Sequence, residues 1–162
     1  MSSSKTWLKR IGIALLFLVA LAAAALFAGD QLATKKMHRT VELQVQPVAY
    51  KDDAAAIERG RYLFASRGCV DCHGAKGNGN MFLDDGKGMR IAGPNISPGP
   101  GSVVKDYQPV DWVRSLRHGV NPQGRPLMIM PSEDYNRFTD EDLAALVAYI
   151  RHLPPAQGGA PV

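Results

Sequence analysis

The sequence predicts an all-α fold: one helical domain of about a hundred residues, preceded by a single N-terminal helix that can cross a membrane. Three observations carry this. An uninterrupted apolar run, Ile11 to Ala28, lies near the N-terminus; apolar residues recur at three- and four-residue steps near both ends of the remaining chain; and no run with strand-like alternation has a neighbouring partner strand. A length of 162 residues fits one domain plus an extra segment and excludes two large ones.

The first element is the run itself. Its 18 uncharged residues, taken as a helix, span about 27 Å against a hydrocarbon core of roughly 30 Å. Lys5, Lys9 and Arg10 precede it, which by the positive-inside rule keeps the N-terminus cytoplasmic and sends the rest of the chain across, although Lys35, Lys36 and Arg39 oppose that bias. Ala23 to Ala25 offers an Ala-x-Ala cleavage site, the mark of a signal peptide, yet the apolar stretch of such a peptide runs only about 7 to 15 residues. Residues 1–29 are therefore read as a membrane anchor or uncleaved signal, and either reading exports the chain.

Residues 30–51 read as a linker or stalk: Val41, Leu43 and Val45 alternate ahead of Pro47 but have no nearby strand to pair with. The domain is placed at 52–156, with 157–162 as a tail. It opens with a helix, because Ala56, Ile57, Gly60, Leu63 and Phe64 share one face up to Gly68. Gly74 to Pro109 is a long Gly- and Pro-rich loop with turn signals such as Gly93-Pro94-Asn95, and a loop of that length in a small domain needs something to wrap. Val110 to His118 reads as a short helix stopped by Gly119, and Pro122 to Pro131 as extended chain. The last helix has Thr139 as N-cap, Glu141 and Asp142 in its first turn, Arg151 and His152 at its end, and Pro154-Pro155 as the stop. Leu143, Leu146, Val147 and Ile150 form its apolar face.

Charge excludes one class of partner. The net charge of +4 comes from the front of the chain: from Thr40 onward there are 13 basic and 14 acidic residues. The domain lacks the basic footprint of a nucleic-acid binder, and no Gly-rich phosphate loop with its Lys-Ser/Thr occurs. Cys69 and Cys72 are the only cysteines, so a multi-disulfide scaffold and a four-cysteine zinc site are excluded as well.

Those two cysteines form the chain's most specific motif. Cys69-Val70-Asp71-Cys72-His73 is the C-x-x-C-H pattern of covalent haem attachment, which two Cys and four His scattered at random would produce on the order of three times in ten thousand. Positions 69, 72 and 73 stand at i, i+3 and i+4 on a helical turn, so two thiols and one imidazole converge. Each thiol can add to a haem vinyl group while His73 reaches the iron. A thioredoxin-like dithiol would need a βαβ context, a lone disulfide leaves His73 unused, and a zinc site needs more ligands than the scattered His38, His118 and His152 supply.

With this motif, the stretch Ile57-Glu58-Arg59-Gly60-Arg61-Tyr62-Leu63, Gly93-Pro94-Asn95, Met130-Pro131 and the closing Leu153-Pro154-Pro155, residues 55–155 resemble the class I cytochrome c family, especially the monohaem modules of bacterial membrane-bound dehydrogenase cytochrome subunits. The resemblance implies a class I cytochrome c fold around one covalently bound haem c, its N- and C-terminal helices crossing where Gly60 lets them approach and Phe64 meets Tyr149. It implies a methionine as sixth iron ligand. Met37, Met81, Met89, Met128 and Met130 are available, and Met130 is the one the resemblance supports, since the family's axial Met commonly precedes Pro, as Met130 precedes Pro131. Alternation in extended chain points Met128 and Met130 the same way, so the pattern alone does not separate them. The resemblance also suggests the Pro94 carbonyl as the acceptor that fixes the proximal His73. By residue type, Arg90, Trp112, Arg125 and Tyr135 are candidate donors to the haem propionates, while His118 and His152 read as helix-end residues.

The function this implies is a membrane-anchored monohaem cytochrome c, not itself an enzyme. It would pass single electrons between a dehydrogenase and an oxidase or reductase, with the haem on the periplasmic side of a bacterial inner membrane, as a free carrier or as a subunit of an oxidoreductase complex. The alternative is a haem-based gas sensor or haem enzyme with an open sixth position. The two differ in whether Met130 binds the iron.

Overall fold

The computed structural model describes residues 3–158; Met1, Ser2 and residues 159–162 of the expected tail lie outside the described residues. The chain divides between Thr40 and Val41 into two compact units. The first is built on one helix, α1 (Ser3–Met37), whose apolar residues from Trp7 to Leu32 are exposed along its length. Its composition and length suffice to cross a membrane. The helix outlasts the apolar run: residues 29–37 continue it, and His38 N–H closes the last turn on the Thr34 carbonyl at 2.9 Å.

The second unit is helix-rich. In order it contains α2 (Ala54–Ser66), α3 (Cys69–His73), strands β1 (Asn80–Asp84) and β2 (Arg90–Gly93), α4 (Pro109–His118), the single turn α5 (Ser132–Tyr135), and α6 (Asp140–Arg151). Side-chain caps set the starts of the two helices that build the core. Asp53 accepts from Ala56 N–H at 2.9 Å, and Thr139 from Asp142 N–H at 3.1 Å. Helices α2 and α6 pack against each other at Gly60, where an added Cβ would run into the Ala145 carbonyl. Beside that crossing the Phe64 and Tyr149 rings meet at 5.4 Å and 54°, a tilted pair. Leu63, Leu143, Leu146 and Val147 fill the core below it.

Two features depart from the sequence reading. The Gly-rich loop contains an antiparallel hairpin, so the unit is not all-α: β1 pairs with β2 from Asn80↔Gly93 to Asp84↔Arg90, with a bulge between Met81 and Leu83. Asp84 and Asp85 close its tip by accepting from Gly86, Lys87 and Met89 N–H at 2.8–2.9 Å, and Arg90 pairs with Asp84 at 3.2 Å. The three consecutive apolar residues of β1, Met81 to Leu83, are broken by the bulge and give no period to read. Residues 41–51, expected as linker, pack onto the unit instead. Val45, Val48 and Tyr50 rest against the core, Val41 N–H donates to the Gly124 carbonyl at 2.8 Å, and the Tyr50 hydroxyl donates to the Tyr107 carbonyl at 3.0 Å. The chain's alternation there reflects burial against the domain rather than pairing with a strand.

Candidate functional site

The site begins where α2 ends. Arg67 N–H bonds back to the Leu63 carbonyl at 3.0 Å, and Gly68, at φ 76°, turns the chain so that the short helix α3 starts at Cys69. Cys69 is buried, Cys72 and His73 are half-buried, and both thiols are free. Burial pushes the Cys69 thiol up to about 11, which keeps its sulfur protonated at neutral pH. All three side chains line an apolar cavity of about 560 Å³ that Pro94, Trp112, Met128 and Met130 also line. That volume is in the range of cofactor sites.

His73 Nδ1 lies 2.9 Å from the Pro94 carbonyl oxygen, which can only accept, so Nδ1 carries the proton and Nε2 is left as the basic nitrogen. Burial lowers the pKa of His73, with the Pro94 contact opposing it, which favours the neutral ring. Met128 and Met130 are not equivalent. Met128 is 60% exposed, whereas Met130 is half-buried and packed on the core. Met81 sits on β1 and Met89 at the exposed tip of the hairpin, neither lining the cavity, and Met37 belongs to α1.

Of the four donors named by type, the geometry separates one. Trp112 is buried on the cavity wall, and its indole N–H has no partner. Tyr135 also lines the cavity, but its hydroxyl already donates to the Arg67 carbonyl at 2.9 Å. Arg90 is engaged with Asp84 on the hairpin, and Arg125 is exposed and outside the lining. His152 turns its ring back to the Ala148 carbonyl at 2.8 Å, as a helix-end residue does, and His118 is exposed at the end of α4. Among the described residues no three His, Cys, Asp or Glu are grouped to hold a metal ion directly.

Sequence reasoning missed the residues that place Pro94. Gly93 passes so close to α3 that a Cβ would meet the Cys72 carbonyl. Asn95, 1% exposed, is the hub of a buried polar knot: its Nδ2 donates to the Pro100 and Ala156 carbonyls at 3.2 and 3.1 Å, and its Oδ1 accepts from Ser97 N–H and Oγ–H at 2.9 and 2.8 Å. Ile96 and Ser97 N–H both bond the Gly77 carbonyl, at 2.7 and 3.0 Å. An Asn after Pro reads as a turn residue, and only its burial distinguishes it. Asn95→Ala takes the shared partner from the buried Ser97 hydroxyl and from the Pro100 and Ala156 carbonyls, while Ser97 N–H keeps the Gly77 carbonyl, so a loss of about 1–3 kcal/mol in unfolding free energy is expected by denaturant titration. A change below about 0.5 kcal/mol would mean that the knot opens to water at no cost.

Residues 57–154 match the family model of cytochrome c. The chain is 33% identical over 111 residues to the fructose dehydrogenase cytochrome subunit of Gluconobacter japonicus, covering 65% of this chain and 23% of that one. It is 37% identical over 116 residues to the gluconate 2-dehydrogenase cytochrome c subunit of Pantoea cypripedii, covering 67% and 24%. It is 32% identical over 108 residues to the cytochrome c subunit of the quinone-dependent alcohol dehydrogenase of Komagataeibacter europaeus, covering 62% and 22%. The chain thus spans about a quarter of the length of these curated relatives.

Proposed function

Because the chain belongs to the cytochrome c family, we propose that it is a single-haem electron carrier, anchored by α1 in a bacterial inner membrane with its haem unit on the periplasmic side. The observation that carries the reading is the convergence of Cys69, Cys72, His73 and Met130 on one apolar cavity, with His73 oriented by Pro94. Bound haem supplies one-electron exchange at its iron. Cys69 and Cys72 would hold it through thioethers to its two vinyl groups, each S–H adding across one double bond. His73 Nε2 would bind the iron, with the Pro94 carbonyl fixing the ring plane and raising the basicity of that nitrogen. Met130 would supply its thioether sulfur as the second protein ligand to the iron. Leu116, Leu146 and Ile150 on the cavity wall exclude water, so that both oxidation states sit in the same apolar surroundings.

The unpaired Trp112 N–H fits a propionate acceptor, which would end the cost of its burial. Trp112→Phe is therefore expected to lower the stability of the haem-loaded protein by about 1–3 kcal/mol, measured by denaturant titration. A haem-loaded variant as stable as wild type would mean that the Trp112 N–H makes no bond to a propionate.

The relatives are named as subunits of fructose, gluconate and alcohol dehydrogenases. We carry the partner class over: a dehydrogenase delivers electrons to this unit, and another redox protein removes them. The test is the visible spectrum of the haem-loaded chain, oxidised and reduced. A far-red Met-to-iron band in the ferric form, with carbon monoxide excluded from the ferrous form, is the expected result. A missing band with carbon monoxide binding freely would make this a haem with an open sixth position, suited to sensing or catalysis instead.

A further inference from the structure

The stretch between the apolar run and the haem unit contains almost no slack. Residues 30–51 as flexible coil would have a root-mean-square span of about 26 Å and a far greater reach when stretched. Two features remove that freedom. Helix α1 continues through residues 29–37, which as helix rise about 13 Å beyond the apolar run. From Val41 onward the chain is fastened along its length to the second unit: Val41 to the Gly124 carbonyl at 2.8 Å, Val45 and Val48 to the core, and Tyr50 to the Tyr107 carbonyl at 3.0 Å. Arg151 completes the clamp, its guanidinium 3.9 Å from the Tyr50 ring centre and 3.0 Å from the Asp52 carboxylate. Only His38, Arg39 and Thr40 lie between the last helical residue, Met37, and the first fastened one, Val41. Fully extended, that step covers at most about 14 Å.

We propose that the haem unit works on this short leash at the membrane surface, so that the redox protein it serves must present its electron-exchange surface there as well. The inference rests on the reading of α1 as a retained anchor, and it narrows the partner. A protein that meets the haem only far out in the periplasm is out of reach, whereas a neighbour seated at the same membrane lies within the tether's span.

The test uses the full haem-loaded chain in phosphatidylcholine vesicles carrying a headgroup fluorophore that haem absorption quenches. Beside it stands a variant with twenty Gly/Ser residues inserted between Arg39 and Thr40, which touches no packed residue and adds a coil spanning about 25 Å. Wild type is expected to quench the headgroup dye at least about twofold more strongly than the insertion variant at equal haem loading. Equal quenching by two proteins that both float with the vesicles would overturn the leash and leave the anchor standing. A wild-type chain that fails to float would overturn the anchor reading, and the leash with it.

Discussion

Met130→Ala is expected to erase the far-red band of the ferric protein, to open the ferrous iron to carbon monoxide, and to lower the reduction potential by about 0.2 V, out of the roughly 0.8 V that axial ligation spans. Neutral thioether sulfur favours the ferrous state, so its loss moves the potential down. Absorption spectra and a redox titration read all three effects. Met128→Ala is the control, because Met128 also lines the cavity yet is 60% exposed, whereas Met130 packs on the core. If Met128→Ala removes the band and Met130→Ala keeps it, the ligand is Met128. If neither changes the spectrum, no methionine of this segment binds the iron.

Gly60→Ala carries the second large effect, and its sign is diagnostic. On helix propensity alone the change should stabilise α2 by about 1 kcal/mol. The added methyl group would instead meet the backbone carbonyl of Ala145 in α6, with the Tyr149 Cβ crowding the same spot at 2.7 Å. Backbone cannot step aside as a flexible side chain can, so α2 and α6 must move apart and loosen the packing of Leu63, Leu146 and Val147. A loss of about 3 kcal/mol is expected by denaturant titration of the haem-loaded protein, a large share of a marginal stability. A gain in stability would mean that the helices do not cross in contact at Gly60.

How much of this was legible in the sequence depends on how local the cause is. The last helix could be read nearly to the residue: Thr139 caps it, Leu143, Leu146 and Val147 repeat along its face, and Pro154-Pro155 come after its end. The short helix stopping at Gly119 was equally local, since a glycine at φ 61° ends it. The hairpin was not legible, because its register rests on backbone pairing around a bulge and on Asp side chains that satisfy the tip. Nor was the docking of residues 41–51, whose reason lies in α4, α6 and the turn at Gly124, all far along the chain. At the site, Cys69, Cys72 and His73 are adjacent and announce themselves. Trp112 stood among four donors equal by type until its unpaired N–H set it apart, and Asn95 was hidden entirely because its partners, Pro100 and Ala156, meet it only in the fold.

The Asn95 knot links two places that the chain keeps far apart. Asn95 comes directly after Pro94, whose carbonyl oxygen holds His73 Nδ1, and its amide reaches across to the carbonyl of Ala156, beyond the end of α6. The hold of the Pro94 carbonyl on the His73 ring is therefore tied, through two hydrogen bonds and one peptide unit, to the anchorage of the segment beyond the final helix. Under the proposed ligation, loosening the segment from His152 to Ala156 is expected to weaken the Pro94 hold on the imidazole proton, and so to reach the iron from well outside the cavity.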